Sequence, residues 1–77
     1  TQNGHVRHCE VSIPAQAEVV GRPVRELQLP QDCVLVRVLR GSEIILPRGD
    51  TVLQALDRVE IFGVDERLSE AEQCLIK

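Results

Sequence analysis

Aromatic side chains are almost absent from this chain of 77 residues: Phe62 is the only one, and there is no Trp, Tyr or Met. Recognition of bases or quaternary cations by stacked rings is therefore excluded as a main mechanism. An excess of positive charge is also missing, because the formal net charge is −3 at pH 7. Since no basic surface is indicated, we expect no nucleic-acid partner.

Paired cysteines and long apolar runs are missing as well. The three cysteines, Cys9, Cys33 and Cys74, are odd in number and widely spaced, which argues against a secreted disulfide framework. The apolar runs are far shorter than the roughly 20 residues that span a bilayer, and the N-terminus has no signal-peptide pattern. We therefore expect a cytoplasmic domain that does not insert directly into a membrane.

The composition that is present, 43% hydrophobic and 27% charged residues, is typical of a folded protein. The length allows one small domain over residues 1–77, with residues 1–5 expected to be frayed. Because the chain begins with Thr1, we also expect it to be a piece of a longer protein.

Four segments show strand patterns. Cys9, Val11 and Ile13 alternate with polar residues, which predicts a half-buried strand. The run 33–39 is apolar on both sides, with Val34, Val36 and Val38 on one face, and predicts a central strand covered on both faces. A Gly-Ser turn leads to a third strand at 43–46, and residues 58–62 form the last strand.

Two short helices complete the pattern. One follows Pro23, and the other starts at Ser69, where a capping box begins, or one turn earlier at Asp65. The apolar stripe of the second helix consists of Leu68, Ala71 and Leu75.

We therefore predict an α+β domain with a mixed or antiparallel sheet of about four strands and two short helices. Two short helices cannot cover such a sheet on both faces, so apolar strand surface is left for a partner. A small domain of this kind commonly completes its core as a homodimer.

The ordered set of motifs resembles the TrkA C-terminal domain family, the C-terminal lobe of the regulator of potassium conductance (RCK) module. The matching segments are VGRPVREL at 20–27, VRVLRG at 36–41, ILPRGDTVLQA at 45–55 and DRVEIFG at 57–63. The resemblance covers nearly the whole chain, from about Val6 to the C-terminus. One position departs from the family, which has Gly-Asp where this chain has Leu56-Asp57, so Leu56 is expected to be strained if a left-handed angle is needed there.

The resemblance implies a non-catalytic regulatory domain on the cytosolic side of a cation channel, potassium-uptake system or antiporter. It further implies homodimers and a small effector such as cyclic di-AMP, a nucleotide or a divalent cation, often near the dimer interface. Effector binding then favours one arrangement of the two paired domains. The membrane transporter or channel subunit, in the same chain or as a partner, responds to this arrangement.

Five arginines are the candidate ligand or interface residues. An anionic effector needs guanidinium groups, which match phosphate and carboxylate in a bidentate manner. The alternative is ordinary surface ion pairing with Glu26, Glu43 and Asp50. Arg37 is the first choice, because it lies in the middle of the apolar central strand. The candidates are Arg22, Arg25, Arg37, Arg40 and Arg48.

No set of residues predicts catalysis or a metal site. His5 and Cys9 share a strand face while His8 points away, so the three do not converge on a metal or form a nucleophile and base. Asp50 and Asp57 are interpreted as turn-forming residues, because no partner near them in sequence completes a catalytic set.

Two other function classes remain open at this stage. The first is a constitutive homodimerisation module without a ligand, which the leftover apolar strand surface favours. The second is a swapped-hairpin DNA-binding domain, suggested by the turn at 45–50 and opposed by the acidic net charge.

Overall fold

Residues 5–77, the part of the chain that the computed structural model describes, build one antiparallel sheet of four strands. Residues 1–4 of the predicted frayed end lie outside this range. The strands are β1 (Val6–Ser12), β2 (Cys33–Arg40), β3 (Glu43–Ile45) and β4 (Arg58–Val64). Their spatial order is β1-β4-β2-β3, and every neighbouring pair is antiparallel. The predicted α+β class is confirmed, and the sheet is antiparallel rather than mixed.

The C-terminal helix α1 (Asp65–Ile76) follows β4 without a loop. A start at Ser69 was wrong and the alternative start at Asp65 is confirmed, because the helix already begins at Asp65. The backbone N–H of Asp65 donates to the carbonyl of His5 at 3.1 Å. The acidic side chains of Asp65 and Glu66 lie in the first turn, where the helix dipole favours negative charge. The predicted stripe is confirmed, since Ala71 and Leu75 are fully buried and Leu68 packs against the core.

The core lies between α1 and one face of the sheet, which we call the inner face. Val59 and Ile61 of β4 and Val38 of β2 are completely buried there. Leu53, from the segment between β3 and β4, is also fully buried. This single apolar layer is the one that the alternation along β1 and β4 predicts.

A bulge in β2 reverses the predicted faces of that strand. Leu35 pairs with Ile61 and Arg37 with Glu60, so Val36 is an extra residue on β2. Before the bulge the even-numbered residue Val34 points away from the core and is 59% exposed, whereas after the bulge the even-numbered residue Val38 points into the core and is fully buried. The prediction that Val34, Val36 and Val38 share one face was therefore wrong, and so was that of a strand covered on both faces within one chain.

The predicted short helix after Pro23 is a single 3-10 turn (Val24–Glu26). Gly21, with φ of +86°, makes the bend that precedes it, an angle that a side chain would disfavour. Backbone hydrogen bonds from Gly21 to Leu53 and from Val24 to Thr51, each 2.8 Å long, tie this segment to the one before β4.

Candidate functional site

The five candidate arginines do not converge on one point of the molecule. Arg37 and Arg40 lie on β2, Arg22 and Arg25 lie at the 3-10 turn, and Arg48 lies in the turn after β3. They therefore provide several separate candidate contacts.

Arg40 is bound inside the chain. Its guanidinium donates to both carboxylate oxygens of Asp57, at 2.9 and 2.8 Å, and to the carbonyl of Val52 at 3.0 Å. Burial alone would raise the pKa of the Asp57 carboxyl, but the hydrogen bonds from Arg40 and Gln54 outweigh it, so the pKa lies below its ordinary value. In the isolated chain Arg40 thus orders the loop before β4.

Arg37 lies on the sheet face opposite α1, which we call the open face. Its Nε donates to Glu60 Oε1 at 2.7 Å, and Nη2 lies 3.5 Å from Oε2 of the same carboxylate. His8 approaches Glu60 from the other neighbouring strand, with Nε2 3.4 Å from Oε2. The Arg37 side chain remains 42% exposed, so it stays accessible to a partner or ligand.

Arg22 lines a pocket of about 420 Å³ between the 3-10 turn and the end of α1. Its Nε donates to the Glu18 carbonyl at 3.2 Å, and its guanidinium is 3.6 Å from Glu26. The other charged residues of the pocket wall are Glu18, Glu26, Glu70 and Lys77, and Cys74 also lines the pocket. The volume suits a small ligand, and the mixed charges suit one that carries both polar and ionic groups.

The backbone of Arg25 is hydrogen-bonded to the turn that contains Arg48. The N–H of Arg25 donates to the carbonyl of Gly49 at 2.9 Å, next to Arg48. Arg48 in turn donates its N–H to Thr51 Oγ1 at 2.9 Å. Within residues 5–77 neither guanidinium is held in an ion pair, so both are available to an anion.

Neither Cys9 nor Cys33 is activated as a nucleophile. Burial is the main cause of a raised pKa at both Cys9 and Cys33, which disfavours their thiolates. Among the described residues, no three His, Cys, Asp or Glu side chains are placed to hold a metal ion. Asp57 has the predicted turn role, since its carboxylate accepts the N–H of Gln54 at 2.9 Å.

Sequence reasoning missed the acidic partners of Arg37 and Arg40. It paired the arginines with Glu26, Glu43 and Asp50, and of these only the pairing of Arg22 with Glu26 occurs. Glu60 lies directly opposite Arg37 in the register of β2 and β4, so a known strand order would have identified this pair.

Comparison with known proteins decides the family. Residues 9–75 match the family model described as the TrkA-C domain. The chain belongs to the TrkA-C domain family. The resemblance stated from the sequence motifs is therefore confirmed. TrkA-C domains are regulatory domains and not a known class of enzyme.

Relatives of this TrkA-C domain carry the name Trk system potassium uptake protein TrkA or homolog. The protein from Mycobacterium tuberculosis is 35% identical over 97% of this chain and 34% of its own length. Homolog 1 from Methanosarcina mazei is 34% identical over 83% of this chain and 14% of its own length. The TrkA-C domain thus spans about a third or less of these relatives.

A solved structure described as "Structure of RCK domain with cda" has the same fold. It superposes with a TM-score of 0.79 and 29% sequence identity, covering 88% of this TrkA-C domain and 96% of that chain. In residues 5–77 of the domain no helix has the length and apolar character needed to cross a membrane.

Proposed function

We propose that this chain is a non-catalytic cytosolic regulatory domain of a cation channel, transporter or antiporter, with potassium as the transported ion. In this proposal it binds a small effector and dimerises, and the effector controls transport. The observation that carries the proposal is the match, over nearly all of both chains, to an RCK domain solved with cda. The names of the relatives, potassium uptake proteins, supply the transport system.

The accessible arginines are the proposed effector contacts. Arg22 offers its guanidinium at a pocket of suitable volume, although Glu26 must release it before it can bind a phosphate. Arg25 and Arg48 offer a second pair of guanidinium groups, and Arg37 offers one on the open face. A cyclic dinucleotide or another nucleotide matches these groups better than a divalent cation does, because a cation needs clustered acidic ligands.

Control of transport requires that the effector bind two arrangements of the domain with different affinities. In a dimer these are two relative positions of the paired domains. An effector that contacts both copies would favour one of these positions. The attached transporter or channel subunit would then respond to that shift.

A constitutive homodimerisation module without a ligand is the second candidate function. It is favoured by the open face, where Val34 and Ile44 are 59% and 60% exposed. Apolar side chains in such numbers on one surface are typical of a protein interface. The swapped-hairpin DNA-binding alternative is set aside, because the family is a different one.

The test is a thermal-unfolding screen of the purified chain, followed by circular dichroism. The ligands are cyclic di-AMP, adenine nucleotides, calcium, magnesium and zinc. A ligand at a hundred times its Kd adds about 2.7 kcal/mol, which raises Tm by roughly 10 to 20 °C in a domain of this size. Arg22→Ala and Arg37→Ala should reduce the shift if these residues contact the effector. A dimer that no ligand stabilises would favour the second candidate function.

A further inference from the structure

We infer that the pocket lined by Arg22 binds a basic amino acid, a ligand with one carboxylate, two cationic groups and an aliphatic stem. The inference rests on the proposed function, in which a small effector binds the domain, and it gives this pocket a ligand of its own. The nucleotide of the proposed function is then held by Arg25, Arg37 or Arg48.

Two segments of the chain form the walls of the pocket. Residues 18–28 supply one wall, and the second half of α1 with Lys77 supplies the other, around a volume of about 420 Å³. The backbone N–H of Glu18 donates to the carbonyl of Lys77 at 2.8 Å, which ties the two walls together. The pocket is therefore present before a ligand arrives, as is usual for small-molecule sites.

The apolar part of the pocket suits an aliphatic ligand. It consists of Val19, Leu27 and Cys74. Val19 belongs to the hydrophobic core and Leu27 packs against it, so these side chains are held in place. None of the described residues that line the pocket is aromatic, so a nucleobase finds no ring on which to stack. The methylene stem of arginine or lysine matches such a surface better.

Two cationic side chains of the wall suit a carboxylate. The guanidinium of Arg22 has five N–H donors, of which Nε is used on the Glu18 carbonyl at 3.2 Å. Its ion pair with Glu26 is 3.6 Å long, and its side chain is 58% exposed. The ammonium of Lys77 forms no ion pair within residues 5–77. Arg22 thus has donors left to bind a carboxylate in a bidentate manner.

The pocket nevertheless carries more negative than positive charge. Glu18, Glu26 and Glu70 stand against Arg22 and Lys77, a net charge of −1. The C-terminal end of α1 adds partial negative charge, and no basic side chain lies in its last turn. A ligand with anionic groups alone meets net repulsion here. The complementary ligand has a net charge of about +1, as arginine and lysine do at neutral pH.

Two carboxylates of the wall are available to the cationic groups of such a ligand. Among the ion pairs of residues 5–77, none involves the Glu18 carboxylate. Glu70 accepts from Arg67 at 2.9 Å through Oε1, one of its two oxygens. The α-ammonium and the side-chain cation of a basic amino acid therefore each have an acceptor, while Arg22 takes the carboxylate.

The experiment is a titration of the nitrogen-labelled chain with L-arginine from about 10 μM to about 10 mM, followed by amide NMR spectra. Sodium chloride keeps the ionic strength constant, so that screening does not change during the titration. Saturable shifts are expected at residues 18–28 and 70–77. Shifts that do not saturate, or that spread over the whole surface, would overturn the inference.

Two analogues test the groups of the ligand. Agmatine is arginine without its carboxylate, and citrulline is arginine with a neutral side chain. Each should bind at least about tenfold more weakly than arginine, because each loses charge-assisted hydrogen bonds. An analogue that binds as tightly as arginine would contradict the assignment of a basic amino acid.

Glu18→Gln tests the protein side and should raise the Kd for arginine at least about fivefold, because it removes a carboxylate from the pocket. Glu66→Gln is the matched control, since Glu66 is an exposed residue of the first turn of α1 that does not line the pocket. Its Kd should stay within about twofold of the wild type. Equal effects of the two substitutions would overturn the inference.

Lys77→Gln adds a second test, which decides if far-UV circular dichroism shows that Glu18→Gln fails to fold. It should weaken the binding of arginine and leave that of agmatine unchanged or stronger, because agmatine has no carboxylate for Lys77 to attract. Equal weakening of both ligands would contradict the placement of the carboxylate beside Arg22 and Lys77.

Cyclic di-AMP in the same titration separates this inference from the proposed function. If it shifts the pocket amides and displaces arginine, the pocket belongs to the nucleotide, which overturns the inference and keeps effector binding. Arginine binding at the pocket without any response to nucleotides would support the inference and contradict a nucleotide as the effector. Nucleotide binding at Arg25, Arg37 or Arg48 with arginine in the pocket would support both.

Discussion

Arg40 and Asp57 form a bidentate ion pair at the end of the sheet, with N–O distances of 2.9 and 2.8 Å. Asp57 is only 1% exposed, whereas the Arg40 side chain is 26% exposed. The same carboxylate accepts the N–H of Gln54, and the same guanidinium reaches the carbonyl of Val52. The pair therefore attaches the loop before β4 to the end of β2.

Arg40→Ala is expected to lower the free energy of unfolding by roughly 3 kcal/mol, because it leaves the buried Asp57 carboxylate without its cation. Urea denaturation measures this loss. The matched control is Arg58→Ala, since Arg58 pairs with Glu10 at 3.4 Å and both side chains are exposed. That variant should lose less than about 1 kcal/mol. Equal losses in the two variants would contradict a structural role for the buried pair.

Asp57 makes the stability of the domain depend on acid pH. Although burial opposes it, the hydrogen bonds from Arg40 and Gln54 lower the pKa of Asp57 in the folded state. A lowered folded pKa gives stabilisation that is present above the unfolded pKa and is lost as pH falls through the folded value. The advantage of the wild type over Asp57→Asn should therefore be largest near pH 7 and shrink below about pH 4.

The measurement is a series of urea titrations of both proteins between neutral and acid pH. Comparing the two proteins at each pH removes the contribution of the other carboxylates, which they share. A difference in the free energy of unfolding that stays constant down to about pH 3 would show that Asp57 does not titrate differently in the folded state.

Local periodicity predicted the elements better than it predicted their contacts. The alternation of Val11 and Ile13, and the stripe of Ala71 and Leu75, identify faces because each pattern depends on one element alone. The bulge at Val36 depends on how β2 pairs with β4, which is a contact between distant segments. The apolar run 33–39 is compatible with either face, so its sequence could not locate the inserted residue.

In the candidate site, too, the sequence predicted individual residues better than the contacts between distant segments. Arg37 was singled out because a charge in an apolar strand needs a partner, and the structure supplies Glu60. That Glu60 is the partner could not be predicted, since the pairing follows from the strand order β1-β4-β2-β3. The pair of Arg40 with Asp57 was missed for the same reason.

Gly63→Ala is expected to destabilise the domain through overpacking. A Cβ at Gly63 would lie 2.6 Å from Cys33 Sγ, 2.9 Å from the Asp32 carbonyl oxygen and 3.2 Å from Leu68 Cδ2. Since the carbonyl belongs to the backbone, relief requires movement of the chain before β2. We expect a loss of about 1–3 kcal/mol in the free energy of unfolding, measured by urea denaturation.

Gly49→Ala serves as the control for that substitution. A Cβ at Gly49 would meet only Arg25 Cβ at 3.6 Å, an ordinary contact, and Gly49 does not have a positive φ. Its stability should remain within about 1 kcal/mol of the wild type, with any change on the stabilising side. If Gly63→Ala were equally harmless, the close packing of β4 against Cys33 and Leu68 would be disproved.

Leu56→Gly is expected to stabilise the domain. Leu56 has φ of +68°, as expected if its position requires the angle that glycine provides in the family, and a left-handed angle costs a side-chain residue about 1–2 kcal/mol. The side chain is 73% exposed, so little burial is lost with it. Glycine also raises the conformational entropy of the unfolded chain, and this destabilises the folded domain by about 0.4–1 kcal/mol. The net expectation is roughly 0 to 1.6 kcal/mol of added stability, measured by urea denaturation. Ala55→Gly, next to it, should only lose stability. A loss at Leu56 as large as that at Ala55 would mean that the left-handed angle is not strained in this loop.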